Sequence, residues 1–244
     1  MQYLLRNKIK YLFVFIILLP AAGYAQYVRD GLNQEDHDDK DFRFGIHLGA
    51  NRSHYNIEHS PRFLQFDSIN VIESVNSTGI NLAWLVNLRL NQHFDLRTYP
   101  VNLVFTEKVF EYTLKTPDKP RGEDTLTIKK VQGITLSLPV QLKFSSDRIA
   151  NLKVFMMAGA RVDYDLAANS GKKMNDDIIT LHKLDYGLEG GIGFHIYFPV
   201  FVMTPELKVT YGLRNVLDQN KAIKFSNTID RLSSRSLTLS LTIE

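Results

Sequence analysis

The sequence predicts an all-β chain, an eight-stranded antiparallel up-and-down transmembrane β-barrel, and three observations predict it. From Phe42 onward the hydrophobic period is two rather than 3.6. The gaps between the alternating segments run long, short, long, short to the end, so all long connections fall at one end of the array. One face of the segments is rich in charges of both signs, while the other is almost free of charge. A soluble barrel would turn its apolar face inward. Lipid contact demands the reverse, since a charge at the bilayer midplane costs roughly 2–4 kcal/mol.

Composition sets the outer limits. The chain has 244 residues, 44% hydrophobic and 23% charged, which is enough apolar content for one large domain. It has no cysteine, which excludes disulfide scaffolds, thiolate metal sites, thiol nucleophiles and a lipid anchor on cysteine. The formal charge of +3 originates in the first ten residues. Without residues 1–25 the chain loses three of its 29 basic side chains and none of its 26 acidic ones, and is formally neutral. A nucleic-acid partner is therefore not expected.

Residues 1–25 read as a secretory signal peptide. Arg6, Lys8 and Lys10 precede an apolar run from Tyr11 to Leu19, then Pro20, and Gly23 and Ala25 form a small-x-small cleavage pattern. Residues 26–41 read as a polar linker on the periplasmic side. Its acidic run (Glu35, Asp36, Asp38, Asp39 and Asp41, with His37) lacks the spaced ligands and sharp-turn glycine of a calcium loop, so the expectation is solvation rather than metal binding. The barrel domain is 42–244.

Within it the strands are expected at 42–56, 77–90, 94–115, 125–145, 152–165, 182–198, 201–213 and 233–244. The first sets Phe42, Phe44, Ile46 and Leu48 against Arg43, Gly45, His47 and Gly49. The second sets Ile80, Leu82, Trp84, Val86, Leu88 and Leu90 against Asn81, Ala83, Leu85, Asn87 and Arg89. The third shifts phase near Tyr99-Pro100, which predicts a bulge, a place where a strand proline is tolerated. It and the fourth exceed the ~9–11 residues needed to cross and are expected to project as a hairpin. The fourth opposes Ile134, Leu136, Leu138, Val140, Leu142 and Phe144 to Thr135, Ser137, Pro139, Gln141 and Lys143. The sixth is rich in glycine on its polar face, and the eighth alternates Leu237, Leu239, Leu241 and Ile243 with Ser236, Thr238, Ser240 and Thr242. Lipid offers no hydrogen bonds, so the first and last strands must pair. Eight strands then leave an interior that side chains fill.

The residues expected to matter are the inward charges Arg43, Arg89, Lys143, Arg161, Asp163, Asp185, Glu189, Glu206 and Lys208, a network of paired ions in the lumen. Asp163, Asp165, His182 and Asp185 fall at neighbouring outer strand ends. They carry the carboxylate and imidazole groups of a water-activating site, but charged lumen walls paired with Arg161 and Lys183 account for them more simply. His47 and His195 point inward and read as satisfied lumen histidines rather than metal ligands. The glycines of 187–193 lie inside a strand and lack phosphate-loop spacing. Trp84, Tyr55, Tyr112, Tyr164, Tyr186 and Tyr211 are candidates for interfacial girdles.

The run Leu138-Pro139-Val140-Gln141-Leu142-Lys143-Phe144, the later Ala158-Gly159-Ala160 and the strand Tyr186–Gly193 resemble the small outer-membrane β-barrel proteins of the Bacteroidetes. The closing stretches Tyr211–Val216 and Ser234–Leu239 are similar to the PorT (SprT) proteins of that group, which are associated with the type IX secretion system. The resemblance spans about the whole chain after residue 25. It implies an outer-membrane protein needed to export cargo with a C-terminal sorting domain, working beside other secretion-system proteins. It implies no enzyme activity, catalytic residue, metal or cofactor. One departure is the ending Thr242-Ile243-Glu244, which lacks the usual terminal aromatic. The function expected is thus assembly, scaffolding or gating in protein secretion, with secreted cargo as a possible contact. The alternatives are a ligand-binding or weakly conducting barrel, and a hydrolase at the outer rim.

Overall fold

The computed structural model describes residues 31–59, 69–114, 126–167, 182–217 and 229–244. The signal-peptide reading of 1–25 lies outside them. Nine strands form one sheet: β1 (Phe42–His59), β2 (Ile69–Val75), β3 (Ser77–Arg89), β4 (Phe94–Leu114), β5 (Leu126–Ser145), β6 (Leu152–Asp165), β7 (Leu184–Tyr197), β8 (Val202–Gly212) and β9 (Ile229–Ile243). Only Asn76 separates β2 from β3, and both pair with β4, so they form a single stave. Eight staves result, all antiparallel, and β1 pairs with both β3 and β9. The barrel therefore closes on itself through β1, β9 and the β4–β5 ladder, while β2 pairs with β4 alone among the described strands.

Much of the span 57–76, expected as a loop, is strand. β1 runs on to His59, and β2 begins at Ile69. These residues extend the ladder beyond the apolar band, where alternation in sequence is no longer enforced by lipid. The long–short order of connections holds. Leu90–His93, 146–151 and 198–201 turn back quickly at one end, and the longer connections lie at the other. The bulge also holds. Trp84 pairs with Val101 and Val86 with Thr98, so β4 carries an extra residue around Tyr99-Pro100.

The registers fix the barrel geometry. Following paired residues from Phe42 to Leu88, Leu96, Leu142, Ala158, Gly190, Val209 and Leu237 returns to β1 at Arg52, ten residues up the strand. With ~3.3 Å per residue and ~4.8 Å between strands, that stagger tilts the strands by about 40° from the barrel axis. A cylinder of that size has room for side chains but not for a wide channel.

Orientation is as the alternation requires. Phe42, Phe44, Ile46, Leu48, Leu82, Trp84, Leu188 and Leu239 face outward and are exposed. Phe44, Phe144, Phe194 and Phe201 ring the short-turn end of this face, and Tyr164, Tyr186 and Tyr211 ring the long-loop end. Phe194 and Tyr186 are eight residues apart on β7. On a tilted strand that is about 20 Å of height, close to the ~25 Å apolar band of such barrels. Trp84 lies farther in, paired with Ile46 and Val101, rather than at a strand end.

Candidate functional site

The interior is built by the inward set of each strand, because a period of two sends every second side chain to the axis. At the short-turn end, Asp95 receives two cations. Arg43 Nη2 and Lys143 Nζ both lie 2.7 Å from Asp95 Oδ2. In the middle, Arg97 Nη2 meets Glu206 Oε1 at 2.5 Å, with neither side chain exposed. Lys208 Nζ lies 3.7 Å from the other oxygen of Glu206.

Two lysine–histidine–threonine relays hold this layer together. Lys143 Nζ lies 3.2 Å from His195 Nε2, and His195 Nδ1 lies 2.8 Å from Thr204 Oγ1. Lys208 Nζ, His47 and Thr242 repeat the arrangement at 3.2 and 2.8 Å. An ammonium has only protons to give, so Nε2 accepts and the Nδ1–H donates to the hydroxyl. The imidazoles are thereby occupied as links between strands. Among the described residues, no group of three or more histidines and carboxylates is placed to hold a metal ion. Apolar side chains fill the remaining space. Leu85, Tyr99 and Ala83 form a buried cluster, and Phe155 packs on His195 with ring centroids 4.7 Å apart.

Toward the long-loop end the packing loosens. A cavity of about 100 Å³ is lined by Arg161, Asp163, Asp165, His182, Lys183, Asp185 and Ser234, among others. A second, of about 40 Å³, lies deeper, bounded by Tyr99, Glu189 and Lys208, and shares Asn51, Arg161 and Ser236 with the first. Arg161 Nη1 pairs with Asp163 at 3.1 Å, Ser234 Oγ donates to Asp185 at 2.6 Å, and Gln141 donates to Glu189 at 2.6 Å. The four residues singled out at the outer strand ends thus share one cavity. The His182 imidazole, exposed at its rim, joins none of the hydrogen bonds among the described residues of this set.

Eight of the nine expected charges contribute to this lumen. Arg89 does not: it sits at the mouth of the short-turn end, where Nη1 bonds the exposed Asp39 at 2.9 Å. It is the last residue of β3, so its long side chain reaches out of the barrel. Asp95 and Arg97 anchor these ion clusters and Tyr99 packs beside them, yet none is among the expected site residues. Their alternation with Phe94, Leu96 and Thr98 was readable, but it covers only six residues before the bulge resets the phase.

Within the linker expected at 26–41, Glu35, Asp36, Asp39 and Asp41 are exposed, as a solvated run would be, whereas His37 and Asp38 turn into the barrel mouth. Gln34–Asp41 belongs to the same compact unit as the barrel. A 3₁₀ turn, Glu35–His37, lays this segment across the short-turn mouth. Both oxygens of Asp38 accept from the Tyr197 hydroxyl (2.8 and 2.9 Å), and Arg43 and Lys153 lie 3.3 and 3.4 Å away. Burial opposes ionisation of Asp38, but that hydrogen bond and the two cations outweigh it and hold its pKa below the ordinary carboxylate range. His37 is buried with Nε2 3.6 Å from the Glu244 carboxylate, farther than a hydrogen bond. Gln34 donates to the Phe198 carbonyl, and Arg148 stacks 3.6 Å over the Tyr197 ring. Asp38 is drawn in because the Tyr197 hydroxyl and the Arg43 and Lys153 cations face it, while Glu35, Asp36, Asp39 and Asp41 stay exposed.

Comparison with known proteins adds the following. The model of the outer membrane protein beta-barrel domain family matches residues 24–218. The fold is similar to that of Neisserial surface protein A (12% identity, 84% of this chain and 99% of that one, TM-score 0.43). It is also similar to Ail, the attachment invasion locus protein of Yersinia pestis, in complex with the heparin analogue sucrose octasulfate (13%, 84% and 99%, TM-score 0.39). A third is the outer membrane protein OprG from Pseudomonas aeruginosa (11%, 82% and 92%, TM-score 0.39). No curated protein matches the chain.

Proposed function

The chain belongs to the outer membrane protein beta-barrel domain family, and from that premise we propose that it is a non-enzymatic component of a protein-secretion machine, of the type IX kind its sequence resembles. It lies in the outer membrane, with the short turns and Gln34–Asp41 toward the periplasm and the long connections outside. One observation carries the reading: the lumen is occupied from end to end of its lower half. The Asp95 and Glu206 ion clusters cross it, and Gln34–Asp41 lies over its mouth. A polypeptide would have to break several buried ion pairs at roughly 3–5 kcal/mol each to pass through.

Such a barrel acts on secretion by contact rather than by conduction. It offers partners a rigid, lipid-embedded body with loops on one side and a charged rim on the other. Deletion of the protein tests this directly. Cargo bearing a C-terminal sorting domain is expected to collect in the periplasm, and restoring the chain should return it to the surface. Normal surface delivery without the protein would refute the secretion role. Single-channel recording is the companion test, with sustained, substrate-selective conductance as the result that would replace scaffolding by transport.

A further inference from the structure

Around the long-loop end the outer wall changes character from one sector to the next. On β6, β7 and β8 the outward residue at the edge of the apolar band is a tyrosine: Tyr164, Tyr186 and Tyr211. On β9 and β1 it is an arginine or a histidine. Arg235 is paired in register with Tyr211, and His54 with Arg235. Arg52, two residues before His54, is paired with Leu237 of β9 and Thr78 of β3. Strand alternation turns all three outward. Arg52 and His54 continue the exposed series Phe44, Ile46 and Leu48, and Arg235 continues Leu241, Leu239 and Leu237. Arg52 stands as far along β1 from Phe44 as Tyr186 stands from Phe194 on β7, and so ~20 Å up the apolar wall.

Little on this face neutralises the two guanidinium groups. Arg52 is exposed and forms no ion pair or side-chain hydrogen bond among the described residues. Arg235 lies flat on the wall. Its Cζ is 4.5 Å from the centre of the Tyr211 ring and its Nη2 donates to the Tyr211 hydroxyl at 2.5 Å, a neutral partner that leaves the charge uncompensated. The nearest outward carboxylate on β1 or β9 is Glu58, which stands opposite Arg231, beyond His54. β3 has no carboxylate, and that of β8, Glu206, is buried in the lumen. The next outward one, Glu107, is on β4, with β3 between. Directly beneath, Leu237, Leu239, Val209 and Ile80 are exposed on the lipid face. Arg52 and Arg235 are diagonal neighbours across the β1–β9 ladder, with backbones roughly 7–8 Å apart. Two side chains of that length reach a common point.

We propose that Arg52 and Arg235, with His54 beside them, bind the phosphate of an anionic lipid in the leaflet at the long-loop end. The planar fork of a guanidinium offers paired N–H donors that match two phosphate oxygens, and one phosphate has oxygens enough for both arginines. The acyl chains then lie along Leu237, Leu239 and Val209, the surface that lipid covers in any case, so the headgroup carries the selectivity. An acidic protein segment fits less well. The cations stand at the upper boundary of the lipid-facing wall, where a headgroup is already present and a polypeptide would have to displace it.

The test uses the full processed chain refolded in neutral maltoside micelles, with dihexanoyl phosphatidate as probe. Dihexanoylglycerol keeps the tails without the phosphate, and inorganic phosphate keeps the charge without the tails. Calorimetric titration should show saturable binding of the phosphatidate alone. Arg52→Gln and Arg235→Gln should each weaken it about tenfold, as loss of a charge-assisted hydrogen bond does, and Arg52→Lys should recover only part, because it restores the charge without the fork. Lys183→Gln, an exposed cation on the inner side of the same rim, should leave binding unchanged. Arg52→Gln removes no internal contact, so it provides the reading if Arg235→Gln does not fold, with the heat-dependent gel shift of a folded barrel as the control. Equal binding of dihexanoylglycerol or of inorganic phosphate overturns the proposal, as does phosphatidate binding indifferent to both arginines in folded protein. Saturable binding of a polyglutamate peptide at these arginines, with none of phosphatidate, assigns the patch to an acidic protein and overturns it too. None of these results bears on secretion, which is read separately by cargo location.

Discussion

Replacing Glu206 by glutamine removes one charge from the centre of the barrel and keeps the shape. Arg97 and Glu206 are wholly buried and 2.5 Å apart, and Lys208 depends on the same carboxylate from 3.7 Å. At ~3 Å and an effective dielectric of ~20, the lost attraction to Arg97 alone is about 5–6 kcal/mol before solvation is counted. Part of it is offset because the carboxylate no longer has to be desolvated. What remains is the cost of a buried guanidinium without a counter-ion, roughly 3–5 kcal/mol. Equilibrium urea unfolding of the barrel in lipid vesicles reads this loss. Trp84, the sole tryptophan, faces outward and reports insertion by its fluorescence. The double variant Arg97→Met with Glu206→Gln removes the stranded charge and should regain most of the stability. A loss below about 1 kcal/mol in the single variant, the value of a solvent-exposed pair, would refute the idea of a dry, interlocked central layer. So would a double variant as weak as the single one.

Other outcomes follow from the same geometry. Leu239→Arg, on the lipid face of β9, should cost roughly 2–4 kcal/mol in vesicles, while Asp147→Asn at an exposed turn should change stability by less than about 0.5 kcal/mol. Gly212→Ala should displace the Ser234–Asp185 hydrogen bond, read as a lower urea midpoint for the folded barrel. Docking of Gln34–Asp41 should depend on acid. The folded pKa of Asp38 is held low, as is that of Glu244, where burial is outweighed by His37 and by the Lys143, Arg97 and Arg43 charges. A depressed carboxylate stabilises fully above its unfolded pKa of ~4 and loses that contribution as pH falls through the folded value. Proteolytic cleavage in this segment by an acid-active protease should therefore accelerate below about pH 4, and Asp38→Asn should bring that accelerated cleavage to higher pH. Equal cleavage of both chains at all pH values would refute the docking role of Asp38.

The alternation from Phe42 to Ile243 was enough to decide which side chains meet lipid and which meet one another. A charge facing hydrocarbon is too costly to be tolerated, so the pattern had to be written residue by residue. Strand number, the sense of the loops and the Tyr99-Pro100 bulge are equally local and were legible for that reason. The closure of the cylinder is not local. A stagger of ten residues brings Arg97 of β4 against Glu206 of β8, 109 residues apart in sequence, and sets Asp163 opposite Asp185. A different stagger with the same alternation would pair different inward groups. The docking of Gln34–Asp41 is of the same kind: Asp38 is held at the mouth only because folding gathered Arg43, Lys153 and Tyr197 there. Sequence period dictates the face on which a residue lies, whereas partners across the lumen are set by the hydrogen-bond registers of eight strands taken together.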